Sequence, residues 1–220
     1  QRTEWAQGLL VQAYSGDTPG RVRLGVDILA VADAKLDGTR DEVGIGLLQS
    51  GRGGVRSGYA RLAPAVRARL GPAELRVGTL IPREPLLTAS TSRIMPQTFQ
   101  GLAITAARGA LELQGARFLR TWYRDGTGQE PLRVFNKNGR FQDGPAADHF
   151  DLVALSRTWS SGTLTLQSGL LDAVYRQDML AVEETATFGT GRLQGQLRWF
   201  HSREAGRALP VLMLTARDSL

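Results

Sequence analysis

The chain has 220 residues, 42% hydrophobic and 22% charged, enough for one sizeable folded domain or two small ones. Lys plus Arg exceed Asp plus Glu by 27 to 21, and the only lysines are Lys35 and Lys137, so the basic charge is carried by arginine, whose fork of donors suits carboxylate or phosphate. There is no cysteine, His149 and His201 stand alone without metal-ligand spacing, and no apolar run reaches 18 residues, which excludes disulfides, thiolate chemistry, a histidine metal site and a transmembrane helix.

Along the chain the hydrophobic period is two. A weak alternation over 5–14 predicts a first strand, and Gly16-Asp17-Thr18-Pro19-Gly20 predicts a short turn. Residues 21–30 alternate strictly: Val22, Leu24, Val26, Ile28 and Ala30 fall on one face, and Arg21, Arg23, Gly25 and Asp27 on the other. A long polar link over 33–58 leads to a second clear strand, in which Leu62, Val66, Ala68 and Leu70 oppose Arg61, Arg67 and Arg69. After the turn Gly71-Pro72-Ala73-Glu74, Leu75, Val77 and Thr79 alternate with Arg76 and Gly78. A long link over 81–97, weaker strands over 101–105 and 111–114, and a third long link over 124–149 follow. Strands over 150–159 and 163–169 are joined at Ser160-Ser161-Gly162. After Gly189-Thr190-Gly191, Leu193, Leu197 and Trp199 alternate with Gln194, Gln196 and Arg198. This makes about ten strands and no helix. Short and long links alternate, the pattern of outer-membrane barrels with tight periplasmic turns and long outer loops.

Alternation alone does not separate a soluble sandwich from a membrane barrel. In the first the apolar face is the core; in the second it meets lipid and the polar face lines the lumen. The apolar faces here are small and aliphatic, and Trp5 and Trp199 share their parity, as an interfacial girdle requires. Turning Arg21, Arg23, Arg61, Arg67, Arg69 and Arg76 to the bilayer would cost on the order of 10 kcal/mol. A barrel must therefore point them, with Asp27, inward. No nucleophile elbow or phosphate-cradling loop is present, so no enzyme chemistry and no cofactor is expected. Arg-interleaved exposed aromatics for nucleic-acid stacking are not evident. A soluble lipocalin-like or basic β-sheet binding protein stays open as the alternative, and solubility without detergent would favour it.

Four stretches resemble the OprD family of outer-membrane porins: Arg2-Thr3-Glu4-Trp5-Ala6-Gln7-Gly8; Gly25-Val26-Asp27 with Lys35-Leu36-Asp37-Gly38; Ser92-Arg93-Ile94-Met95-Pro96-Gln97-Thr98-Phe99-Gln100-Gly101; and Asp172-Ala173-Val174-Tyr175-Arg176-Gln177. The resemblance implies an all-β, eighteen-stranded antiparallel transmembrane barrel of a Gram-negative outer membrane, trimeric when full length. It implies a channel for amino acids, aromatic acids or carbapenem-like compounds, set in outer-membrane lipid and lipopolysaccharide. It places Arg93 in the pore with Gln97 as its neighbour, and adds Asp172, Tyr175 and Arg176 as pore-lining candidates. It sets the constricting loop at 124–149, with Phe135 and Phe141 where the family usually has an eyelet Tyr.

The same resemblance implies that residues 1–208 are part of a longer barrel whose start and signal peptide lie upstream. An isolated piece with two open sheet edges is not expected to conduct, and stable single-channel conductance would contradict this. Residues 209–220 are expected to be a divergent tail read out of frame, which resequencing the gene would test.

Overall fold

A computed structural model describes residues 5–37, 48–51, 54–134, 146–189, 191–204 and 207–219; for 50–51, 54–55 and 207–219 it describes the backbone alone. The long strands are β1 (Trp5–Tyr14), β2 (Val22–Asp37), β5 (Gly58–Leu70), β6 (Ala73–Leu80), β9 (Thr98–Arg108), β10 (Leu111–Trp122), β11 (Phe150–Thr158), β12 (Gly162–Leu171), β13 (Tyr175–Phe188), β14 (Gly191–Glu204) and β15 (Arg207–Ser219). They form one antiparallel sheet in chain order. Two small hairpins, β3 (Ser50–Gly51) with β4 (Gly54–Val55) and β7 (Arg83–Glu84) with β8 (Leu87–Thr88), decorate the links. Among the described residues there is no helix. The contacts divide the chain into a first unit, Gln1–Gly71, Leu75–Leu102 and Phe118–Leu132, and a second, Pro72–Glu74, Ala103–Arg117 and Arg133–Leu220.

In the first unit the register of β2 on β5 sets the two faces. Leu24 faces Ala68, Val26 faces Val66 and Ala30 faces Leu62 on one side; Arg23 faces Arg69, Gly25 faces Arg67, Leu29 faces Ala63 and Val31 faces Arg61 on the other. The apolar side is the open one. Leu62 is 66% exposed and Val66 51%, whereas Arg67 is 5% exposed and Ala63 and Ala65 are buried. Leaving Val22, Leu24, Val26, Ile28, Leu62, Val66 and Leu70 about half exposed to water would forfeit on the order of 5–10 kcal/mol, as much as the net stability of a typical domain of about 5–15 kcal/mol. Hydrocarbon removes that cost. We call this side outer and the opposite side inner.

The inner side is closed over by chain. Residues 81–97, predicted as an outer loop, lie against it: Met95 packs with Leu29, Val31 and Ala63, flanked by Tyr59 and Ile81. This explains why the polar parity of β2 turns apolar at Leu29. The strand also runs on to Asp37, shortening the link expected over 33–58.

At the short-turn end the β1–β2 turn is latched to the same side. Arg67 donates from Nη2 to Asp17 Oδ1 at 2.9 Å and to the Ser15 carbonyl at 3.0 Å, and from Nη1 to Asp27. Arg69 donates to the other Asp17 oxygen at 2.7 Å. Gly25 makes room, since a Cβ there would stand 2.5 Å from the Arg67 guanidinium. Gly78 has φ +136°, and a Cβ would meet the Pro64 carbonyl at 2.5 Å and Ala65 Cα at 2.6 Å.

In the second unit β11 pairs with β12, β12 with β13, β13 with β14 and β14 with β15. Here the expected alternation of links ends: residues 172–174 alone join β12 to β13, with Ala173 at φ 55°. Residues 209–219, expected to be a divergent tail, are backbone-paired with β14.

Two outcomes follow. Gly78→Ala should cost at least about 2 kcal/mol through strain and contact, read as a lowered urea midpoint in detergent. The hydrogen bond from Arg67 holds the Asp17 carboxyl below its ordinary 3.8. A lowered folded-state value gives stability present above the unfolded value and lost as pH falls through the folded one. Lowering pH from about 5 to about 3 should therefore reduce the wild-type midpoint more than that of Asp17→Asn.

Candidate functional site: an arginine-bearing loop on the inner face

Residues 90–97 form a loop closed on itself. Gln97 N donates to the Ser90 carbonyl at 2.8 Å, and Ser90 N donates back to Gln97 Oε1 at 3.2 Å. The other end of the Gln97 amide donates to Thr121 Oγ1 at 3.1 Å, and that hydroxyl donates to the Thr98 carbonyl at 3.2 Å. Arg124 closes the outside, donating from Nη1 to Ser90 Oγ at 3.0 Å and Ser92 Oγ at 2.8 Å. Thr121 is itself fixed by a reciprocal backbone pair with Glu130.

Two apolar anchors seat the loop on the strands. Met95 fills the Leu29–Val31–Ala63 pocket. Ile94 lies over Gly8 of β1, where any Cβ would collide with its Cγ2. Behind the loop, Phe99 and Phe118 meet edge to face, with ring centroids 5.5 Å apart. Arg93 sits between Ser92 and Ile94, half-buried, and no carboxylate among the described residues pairs with it. The result is a cation on a braced platform.

The expected lining residues fall into distinct environments. Arg23, Asp27, Arg61, Arg67 and Arg69 share the inner side of β2 and β5. Arg67 and Asp27 are bound to each other, and Arg67 also bridges to Asp17, so Arg67 is a latch more than an open cation. Arg61 lies 4.6 Å from the Trp122 ring centroid in a cation–π contact. Arg76 takes the parity opposite the exposed Leu75 and Val77, and Arg21 precedes β2. Gln97, expected as Arg93's partner toward solute, has both ends of its amide engaged by Ser90 and Thr121. In the second unit Asp172 lies in the 172–174 turn, its N–H donating to the His149 carbonyl. Tyr175 is half-buried on the parity of Gln177 and Met179.

Arg176 differs from Tyr175 in its side of the strand. It stands on the opposite parity, in the cross-strand rows that also carry the exposed Leu166, Leu170, Leu197 and Trp199. A motif match fixes a residue's position in the chain but not the side of the strand on which it emerges. Arg2, Thr3, Glu4, Gly38, Phe135 and Phe141 lie outside the described residues.

Sequence reasoning missed Asp17, Trp122 and Arg124. Their partners lie tens of residues away, beyond any local period. For Asp17 the available signal was Gly25, because glycine inside a strand marks close approach of another group; Trp122 and Arg124 carried none.

The model of an outer membrane porin of the OprD family matches residues 1–211. The porin-like protein GalP of Pseudomonas putida is 28% identical over 209 residues, covering 93% of this chain and 50% of that protein. The crystal structure of Pseudomonas aeruginosa OccK9 (OpdG) is similar at a TM-score of 0.86 and 32% identity, over 98% of this chain and 57% of that one. That of Pseudomonas aeruginosa OpdK with vanillate is similar at 0.86 and 27% identity, over 99% and 59%. The chain thus spans about half the length of the curated relatives it matches. With its open apolar face, its inward-packed loop and its porin-barrel neighbours, the chain belongs to the OprD family of outer membrane porins.

Proposed function

We propose that the whole protein is a passive, solute-selective channel for small carboxylate-bearing molecules, and that Arg93 is the cation that meets the carboxylate. The observation that carries this reading is the platform under Arg93: a guanidinium with no carboxylate partner among the described residues, borne on a loop that Ile94, Met95, Gln97 and Arg124 hold in place. A guanidinium fork matches a carboxylate, and holding it in place beforehand removes an ordering cost that a free loop would incur on each passage. The OpdK structure to which this chain is similar was solved with vanillate, an aromatic carboxylate, which supports that solute class. Arg23, Arg61, Arg69 and Arg76 would extend a positive field along the wall, with Tyr175 as a lining candidate in the second unit. In this reading Gln97 acts as a positioning residue and Arg67 braces the turn. The outer side would meet outer-membrane lipid, and assembly into trimers would match the expectation from the sequence.

Uptake by a porin-deficient Gram-negative host expressing the whole protein tests this. Wild type should admit an aromatic carboxylate well above its neutral amide. Arg93→Ala should lower carboxylate uptake about tenfold, the scale of one charge-assisted hydrogen bond, and leave the amide unchanged. Gln97→Ala should narrow the same preference with Arg93 still in place. Equal loss for both solutes in Arg93→Ala would contradict the assignment.

A further inference from the structure

On the outer side of β13 and β14 an apolar band, interrupted by the exposed Glu184 that Ser161 and the Trp159 indole hold, gives way to a cluster of charged residues at the end opposite Phe188. Phe188, at the short-turn end of β13, is 68% exposed, and Trp199 of β14, opposite Leu180, is 40% exposed. The eight steps from Leu180 to Phe188 cover about 26 Å of strand, or about 20 Å of height at a tilt near 40°. A barrel's apolar band is about 25 Å tall with aromatic girdles at its edges. The next outward positions beyond Trp199 are His201 and Arg203, and beyond Leu180 they are Asp178 and Arg176. They stand at headgroup height, and the short 172–174 link raises no long loop from β12 and β13.

At this rim Arg176 and Arg203 are direct cross-strand partners. Like charges placed so, with Cβ atoms about 5 Å apart, repel, and Asp178, bonded to Arg176 and acting on Arg203 as well, offsets one of the two charges. Each guanidinium is oriented through its Nε alone. Arg176 Nε donates to Asp178 Oδ1 at 3.1 Å, and the same carboxylate accepts from Ser168 at 2.7 Å. Arg203 Nε donates to His201 Nε2 at 3.0 Å, and that imidazole is stacked on Trp199 at 5.8 Å. The terminal nitrogens of both arginines meet no protein acceptor among the described residues. Nearby, Arg117 and Asp151 form a closed bidentate pair at 2.6 Å, with His149 at 3.4 Å. Arg117, Arg176 and Arg203 stand against Asp151, Asp178 and Asp172, the last of which also acts on Arg117, so the rim is balanced in net charge.

We propose that Arg176 and Arg203 form a pincer for the phosphate of a phosphorylated glycolipid in the outer leaflet. Two forks with free terminal nitrogens suit a tetrahedral oxyanion. The exposed Leu170, cross-strand from Arg176, with Trp199 and Leu197 further along β14, would take its acyl chains, which a free phosphate lacks. A second copy of the chain would set its own Arg176–Arg203 pair against this one, like charge against like, so the lipid phosphate is the better match. The pincer rests on the outer-membrane placement and is independent of Arg93.

The test uses the full-length protein in dodecyl maltoside, folded by β-type circular dichroism, titrated with diphosphoryl lipid A, dephosphorylated lipid A and inorganic phosphate. Wild type should bind the diphosphoryl form at least about tenfold tighter than the dephosphorylated form. Arg176→Ala/Arg203→Ala should lose that preference, while Arg176→Lys/Arg203→Lys keeps part of it. Arg108→Ala/Arg157→Ala, equal in charge change at the short-turn end, should bind as wild type. Carboxylate uptake should survive loss of the pincer, and Arg93→Ala should bind lipid normally, so the two readings fail separately. Equal binding of both lipids, unchanged binding by the double alanine variant, saturation by inorganic phosphate at the same concentration, or a change only in oligomeric state would each overturn the proposal.

Discussion

The structure depends on one inversion: aliphatic side chains open to the surroundings and arginines turned away from them. Leu62 is two-thirds exposed, while Arg67 on the same strand is buried. In water such a strand would surrender most of a domain's stability; in hydrocarbon it is the favoured arrangement. The inner side, relieved of forming a conventional core, can then hold charge, latch a turn and carry a folded-in loop.

In the proposed reading, that loop is where the inversion serves conduction. Arg93 is useful to a passing carboxylate only if it is both charged and fixed. Three kinds of contact fix the loop that bears it: an aliphatic side chain on the bare backbone of Gly8, Met95 in an apolar pocket, and a polar clamp through Gln97, Thr121 and Arg124. None of them consumes the Arg93 guanidinium. By contrast, the arginine most deeply placed, Arg67, has its charge met by Asp17 and Asp27. Counting arginines on the inner side therefore overstates the field a solute would feel.

How much could be read from the chain follows from how local each feature is. The alternation of β2 and β5 lies within a few residues, and it gave the faces correctly. The inward packing of 81–97 did not show, because Leu29 and Val31 look like a break in pattern until Met95 is seen against them. β13 was missed because Asp178 and Glu184 interrupt its apolar parity; one is held by Ser168 and Arg176, the other by Ser161 and the Trp159 indole. The parity of Arg176 could not be read from its motif, because a matched motif carries no parity. Asp17 and Arg67 are fifty residues apart, and only the fold joins them.

The absence of native cysteine allows the inversion to be tested directly. Single cysteines at residues 61 through 67 of β5, each labelled with an environment-sensitive fluorophore in the full-length protein, would be reconstituted into vesicles containing brominated lipid. Quenching should alternate with a period of two, strong at Leu62, Pro64 and Val66 and weak at Arg61, Ala63, Ala65 and Arg67. Uniform quenching, or strong quenching on the arginine parity, would contradict the lipid-facing assignment on which the rest stands.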